Sequence, residues 1–121
     1  MKTILLIEDD AFLKDLESTK FIKEGFSVMP ATTRADIDAH LATTTPDIIL
    51  LDLMLPDVDG FTLLDMFRSS DKTKTVPVIV FSNLSSDADM KKAFDKGANE
   101  YMVKSNVMLD EIVGKIQTLL K

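Results

Sequence analysis

Apolar and polar positions along the 121 residues fall into five similar alternations, each an apolar run followed by a segment with helical spacing. Thr3 to Glu8 (TILLIE) is continuously apolar and ends in an acid, the pattern of a strand covered on both faces. Ala11 to Glu24 follows, with Phe12, Leu13, Leu16, Phe21 and Ile22 near helical spacing and Gly25 where a C-terminal cap is expected. Phe26 to Met29 reads as a short second strand, and Thr33 can cap a helix over Arg34 to Ala42. After Pro46, Asp47 to Asp52 (DIILLD) is a third strand that again ends in acid. A loop over Leu53 to Gly60 leads to a helix over Phe61 to Ser70, and Val76 to Phe81 is strand four, with Pro77 tolerable near its start. Ser86 or Asp87 can start a helix that ends at Gly97. Glu100 to Val103 is strand five, and Asn106 can cap a last helix carrying Leu109, Ile112, Val113, Ile116 and Leu120.

Strand and helix alternating through short connections predict an α/β fold. It is a doubly wound, five-stranded parallel sheet with helices on both faces, because right-handed crossovers lay each helix over the sheet. In open sheets of this kind ligands sit beyond the carboxyl ends of the strands, where strand order reverses. Those ends carry Glu8, Asp9 and Asp10, then Asp52, then Ser82 and Asn83, then Lys104. Carboxylates, a hydroxyl and an ammonium are thereby expected to converge.

Asp9 or Asp10 alone would be read as a helix cap, accepting backbone N–H groups and opposing the helix dipole. Asp52 at the end of a second apolar strand changes that balance, since clustered carboxylates repel unless a cation neutralises them. Oxygen-only ligands without His or Cys indicate a hard divalent ion, and few carboxylates with room for water and phosphate oxygens suit Mg²⁺. Lys104 supplies a cation and Ser82 a hydroxyl donor for phosphoryl oxygens, which leaves Asp52 as the nucleophile placed to form an acyl phosphate.

Composition narrows the class further. The length fits one domain over residues 1–121, and 45% apolar with 28% charged residues is an ordinary globular balance. No apolar run approaches bilayer length and Met1 to Thr3 leads straight into a strand, so a cytoplasmic location is expected. The absence of Cys removes disulfides and thiolate chemistry, and a net charge of −6 has the wrong sign for direct nucleic-acid binding. His40, on a polar helix surface, is read as solvated. Met29, Met54, Met66, Met90, Met102 and Met108 are read as gap fillers in or near core-facing segments.

The segments ILLIEDD, PDIILLDLMLPDVDG, VPVIVFS and GANEYMVK resemble, in order and spacing, the response-regulator receiver family across essentially the whole chain. The resemblance implies the flavodoxin-like strand order 2-1-3-4-5 and phosphorylation of Asp52 by a histidine kinase or phosphotransfer protein. It implies that Asp9 binds Mg²⁺ directly, Glu8 mostly through water, and Met54 through its backbone carbonyl. Ser82 and Lys104 would hold the phosphoryl group, and Tyr101 would be the aromatic switch that turns inward when Ser82 moves. Pro56 and Gly60 would shape the loop after Asp52. The implied role is a stand-alone signalling switch and not an enzyme, acting on a protein target through the face made by the fourth helix, fifth strand and fifth helix. A monomer or weak dimer is expected, since only Glu111 and Lys115 match the family's charged dimer face. Two further positions depart from the family: Ser105 stands where proline usually follows the lysine, and Asn83 where a small residue usually follows the hydroxyl.

Rival functions meet specific obstacles. An aspartate-nucleophile phosphohydrolase normally needs an acid two residues after the nucleophile, where Met54 stands. A flavin-binding protein needs a hydroxyl- and Gly-rich loop after strand one, where the chain has Glu8, Asp9 and Asp10. A receiver-like module that is never phosphorylated would have no need to keep Asp9, Asp52, Ser82 and Lys104 together.

Overall fold

In a computed structural model of residues 1–121, β1 (Thr3–Ile7), β2 (Ser27–Ala31), β3 (Ile48–Leu51), β4 (Val78–Ser82) and β5 (Glu100–Val103) alternate with five helices. These are α1 (Ala11–Lys23), α2 (Arg34–Thr43), α3 (Gly60–Ser69), α4 (Asp87–Asp95) and α5 (Leu109–Leu119). All neighbouring strands are parallel and the order is β2-β1-β3-β4-β5. The doubly wound sheet expected from the alternation is therefore present, and its order reverses between β1 and β3. No helix is long and apolar enough to cross a membrane.

Side chains alternate across the sheet and so divide the core in two. Leu5, Ile7, Ile49, Leu51, Val78 and Val80 meet Ile37 of α2, Leu63, Leu64 and Phe67 of α3, and Ala93 of α4. Ile4, Leu6, Ile48, Leu50, Ile79 and Phe81 meet Phe21 of α1 and Ile112, Val113 and Ile116 of α5. β1, β3 and β4 are thus buried on both faces, which is why their sequences are continuously apolar. β2 is an edge strand and runs on through Pro30, beyond the Phe26 to Met29 expected, because an edge position does not need the missing N–H.

Helix starts follow local side-chain chemistry. Asp10 caps α1 by accepting the Leu13 N–H at 3.0 Å. Thr33 and Asp36 form a reciprocal capping box on α2, Asp59 caps α3, and Ser86 caps α4. The expected cap at Asn106 is not used: Lys104–Asn106 form a 3₁₀ turn, and α5 begins two residues later with Glu111 accepting the Met108 N–H. β4 begins at Val78 and not Val76, because Arg68 holds the chain ahead of it. The Arg68 guanidinium donates to the carbonyls of Thr73, Lys74, Val76 and Gly97 and to Asn99 Oδ1, which in turn accepts the Val78 N–H.

Two expectations about apolar side chains are corrected. Phe12, Leu16 and Ile22 of α1 lie outside the core, Phe12 being 72% exposed. Met54 and Met108 are exposed as well, because the loops that carry them lie outside the helix and strand packing. His40 is half-buried, its Nε2 2.7 Å from the Pro30 carbonyl oxygen on β2.

Candidate functional site

The carboxyl ends of β1, β3, β4 and β5 bring together the residues predicted from the sequence. Glu8 and Asp52 are 1% and 4% exposed, whereas Asp9 is open to solvent. One carboxylate oxygen from each of Glu8, Asp9 and Asp52 lies within 4.8 Å of the others. With Asp10 committed to capping α1, Asp9 is the neighbouring acid left free to face the group. Backbone contacts fix the frame: the Asp52 N–H donates to the Ile7 carbonyl at 3.0 Å, and the Glu8 N–H to Ala31 at 3.0 Å. The Thr32 hydroxyl adds a bond to the Glu8 carbonyl at 3.1 Å.

Lys104 reaches the carboxylates directly. Its Nζ donates to Asp52 Oδ2 at 2.7 Å and to Glu8 Oε1 and Oε2 at 2.7 and 2.9 Å. Ser105 in place of proline therefore does not keep the ammonium from the site. Burial pulls the Lys104 pKa down, but hydrogen bonds to Asp52 and Glu8 outweigh it and leave it raised. Burial pushes Glu8 upward against the opposing pull of Lys104. One ammonium facing several carboxylates leaves the centre net negative, a surplus that a divalent cation would neutralise.

The loop after β3 is shaped around Asp52. The Met54 N–H donates to Asp52 Oδ1 at 3.0 Å, and Met54 bridges back to Asp59 at the entry of α3. Gly60 closes this loop: a Cβ there would stand 2.4 Å from Leu53 Cα, so any side chain would force the loop open. Pro56 is exposed at its outer turn.

Ser82 ends β4 fully buried, and its hydroxyl oxygen accepts a long bond from the Leu84 N–H at 3.4 Å. Two residues on, the Leu84 carbonyl accepts the Tyr101 hydroxyl at 2.6 Å. The β4–α4 loop therefore joins Ser82 at the site to Tyr101 on β5. Tyr101 is half-buried, and burial raises its pKa, helped by the charges of Asp89 and Asp52. Lys115 pairs with Glu100 of the same chain at 3.7 Å, which engages one of the two residues that match a dimer face.

The sequence reading missed Glu17. This α1 residue is 1% exposed, and neither carboxylate oxygen has a hydrogen-bond partner in the chain. Burial pushes its pKa up to about 8, with the adjoining Glu8 carboxylate adding to the effect. Its signal was its place four residues after Leu13 and four before Phe21, which is the inward stripe of α1.

Comparison with known proteins agrees with this fold. The family described as the response regulator receiver domain matches residues 4–117. The chain belongs to that family, the signalling receivers of two-component systems. It is 35% identical over 121 residues to the DNA-binding dual master transcriptional regulator RpaA of Synechocystis, covering all of this chain and 50% of that protein. It is 31% identical to the virulence transcriptional regulatory protein PhoP of Salmonella typhimurium, covering all of this chain and 53% of that one. The chain thus spans about half the length of these relatives. Among solved structures, the BeF₃-activated receiver domain of Klebsiella pneumoniae RstA superposes with a TM-score of 0.90 at 25% identity, covering 99% of each chain. The Francisella response regulator 1452 receiver domain gives 0.89 at 26% identity, covering 99% of this chain and 97% of that one.

Proposed function

We propose that residues 1–121 act as one phosphorylation switch in which Asp52 is the phosphoacceptor, with Mg²⁺ held at Glu8, Asp9, Asp52 and the Met54 backbone carbonyl. The observation that carries this reading is the convergence of Lys104 with three strand-end carboxylates at the point where strand order reverses. The donor set, oxygen only, net negative and partly open, fits a hard divalent ion. Mg²⁺ would offset charge on the transferring phosphoryl group.

The chain's own groups divide the remaining work. An Asp52 carboxylate oxygen attacks phosphorus in line, and the bond between phosphorus and the donor's nitrogen or oxygen breaks, its electron pair leaving with the donor. Lys104, already within 2.7 Å of Asp52, needs only a small movement to pair with a phosphoryl oxygen. Ser82 turns its hydroxyl to donate to another. Drawing Ser82 inward pulls the β4–α4 loop, which loosens the bond between Tyr101 and the Leu84 carbonyl and lets the ring bury itself. The readout face is then α4, β5 and α5, for a downstream protein target.

For the upstream donor, a histidine kinase or phosphotransfer protein, the exposed apolar side chains beside the site offer a docking face. Leu16 on α1 and Met108 before α5 are large, exposed and line a cavity of about 550 Å³ that reaches Lys104 and Asn83, and exposed Phe12 lines a neighbouring one that shares Leu16. A receiver working between such partners in the cytoplasm needs no further catalytic apparatus.

Incubation with acetyl phosphate and Mg²⁺, followed by intact mass measurement, tests the proposal. One added phosphoryl group, lost in base and absent when the metal is chelated, is expected. No mass gain under these conditions would refute it.

A further inference from the structure

Where β1 and β2 end, side chains take over the ladder between them. The last backbone bond runs from the Glu8 N–H to the Ala31 carbonyl at 3.0 Å. In a parallel pair the Glu8 carbonyl would next accept the Thr33 N–H. That donor is already engaged: Asp36 Oδ2 accepts it at 3.2 Å, and the Thr32 N–H at 2.9 Å, at the start of α2. The Thr32 hydroxyl fills the place instead and donates to the Glu8 carbonyl at 3.1 Å. From the first turn of α1, the Lys14 ammonium donates to the same hydroxyl oxygen. An ammonium can only donate, so the hydroxyl accepts from Lys14 and its own proton is directed to Glu8.

We propose that Thr32 and Lys14 are positioning residues of the phosphorylation centre. The relay from the Lys14 ammonium through the Thr32 hydroxyl to the Glu8 carbonyl fixes the peptide between Glu8 and Asp9, and with it the direction of the Asp9 carboxylate. The inference rests on the reading of this centre as a Mg²⁺ and phosphoryl site. Asp9 is open to solvent, so packing does not aim it. Its oxygen nonetheless lies within 4.8 Å of those of Glu8 and Asp52, which makes the backbone that carries it the source of that aim. A frame held before the ion arrives lowers the ordering cost of binding. Groups that orient a ligand from behind affect metal affinity strongly although they never touch the ion.

The test is a Mg²⁺ titration of the full chain followed by NMR, comparing wild type with Thr32→Val, Thr32→Ser and Lys14→Met, each checked by its metal-free melting temperature. Val keeps the shape of Thr32 without the hydroxyl, whereas Ser keeps the hydroxyl. Thr32→Val should bind Mg²⁺ about tenfold more weakly than wild type, and Thr32→Ser should recover most of that loss. Lys14→Met gives a test of sign. Removing a positive charge beside an acidic centre strengthens cation binding by charge alone, whereas loss of the relay weakens it, and weaker binding is expected. A purely structural role for Thr32 lowers the melting temperature of Thr32→Val and leaves its Mg²⁺ affinity unchanged. Wild-type or tighter Mg²⁺ binding by either folded variant, Thr32→Val or Lys14→Met, with wild type still labelled by acetyl phosphate, overturns the relay and leaves the site's reading intact. A wild type that binds no Mg²⁺ overturns both this inference and the reading beneath it.

Discussion

α3 and α1 are packed against opposite faces of the same sheet, and they obey different rules. α3 buries Phe61, Leu63, Leu64 and Phe67 and sends Asp65 and Ser69 to solvent, so its apolar stripe and its core face coincide. α1 buries Phe21 and Glu17, while Phe12, Leu16 and Ile22 stand outside. A helix shaped only by folding would resemble α3. Departures from pattern concentrate where a protein works, and in α1 Leu16 and Glu17 line the cavity that reaches Lys104. Both faces of the sheet are closed by an apolar core, but α1 adds a buried carboxylate to the core it covers and leaves three large apolar side chains outside it.

The largest expected effect comes from treating the two helices alike. Phe67→Ala in α3 should cost about 3–5 kcal/mol, because it removes a fully buried ring. Phe12→Ala in α1 should stay within about 0.5 kcal/mol. Urea denaturation of both variants measures the contrast, and equal losses would erase it.

A smaller effect is expected from Glu17 in metal-free protein. Its folded pKa of about 8 lies above its ordinary value of 4.5, so the folded state binds the proton more tightly than the unfolded chain does. Its contribution to stability is full below about 4.5 and is lost as pH rises through about 8. At about 1.4 kcal/mol per pKa unit, this amounts to a few kcal/mol across that window. Denaturation midpoints taken from pH 4.5 to 8.5 should therefore fall less steeply for Glu17→Gln than for wild type. Parallel curves would show that Glu17 is not the titrating group.

The smallest effect on the isolated chain is expected from Phe12→Ser combined with Leu16→Ser. Labelling by acetyl phosphate should be unchanged, since neither side chain touches Asp52, whereas transfer from a phosphorylated protein donor should slow several-fold. Equal slowing with both donors would place these residues in the chemistry instead of in docking.

Much of this was legible in the sequence. Continuous apolar runs located β1, β3 and β4, and the acids ending the first two located the site, because side chains at strand ends in a parallel sheet have one place to converge. Ser82 and Lys104 followed from the same rule. What escaped depends on contacts distant in sequence. Asn106 looked like a cap, yet the turn beginning at Lys104 consumes it and α5 starts later. Nothing local in the sequence marks Arg68, around which carbonyls from Thr73 to Gly97 gather. In α1 the misreading had a physical source: spacing tells which residues share a face but not which face turns inward, and the apolar residues outnumber the stripe that is buried.

The phosphoacceptor claim is tested most directly by intact mass and base lability after acetyl phosphate treatment of wild type and Asp52→Asn, side by side with Mg²⁺ present. Asp52→Asn is nearly isosteric and can still accept a bond from Lys104 through its amide oxygen, so the variant should fold. Wild type should carry one base-labile phosphoryl group and Asp52→Asn none. Labelling of Asp52→Asn to the wild-type extent would contradict it.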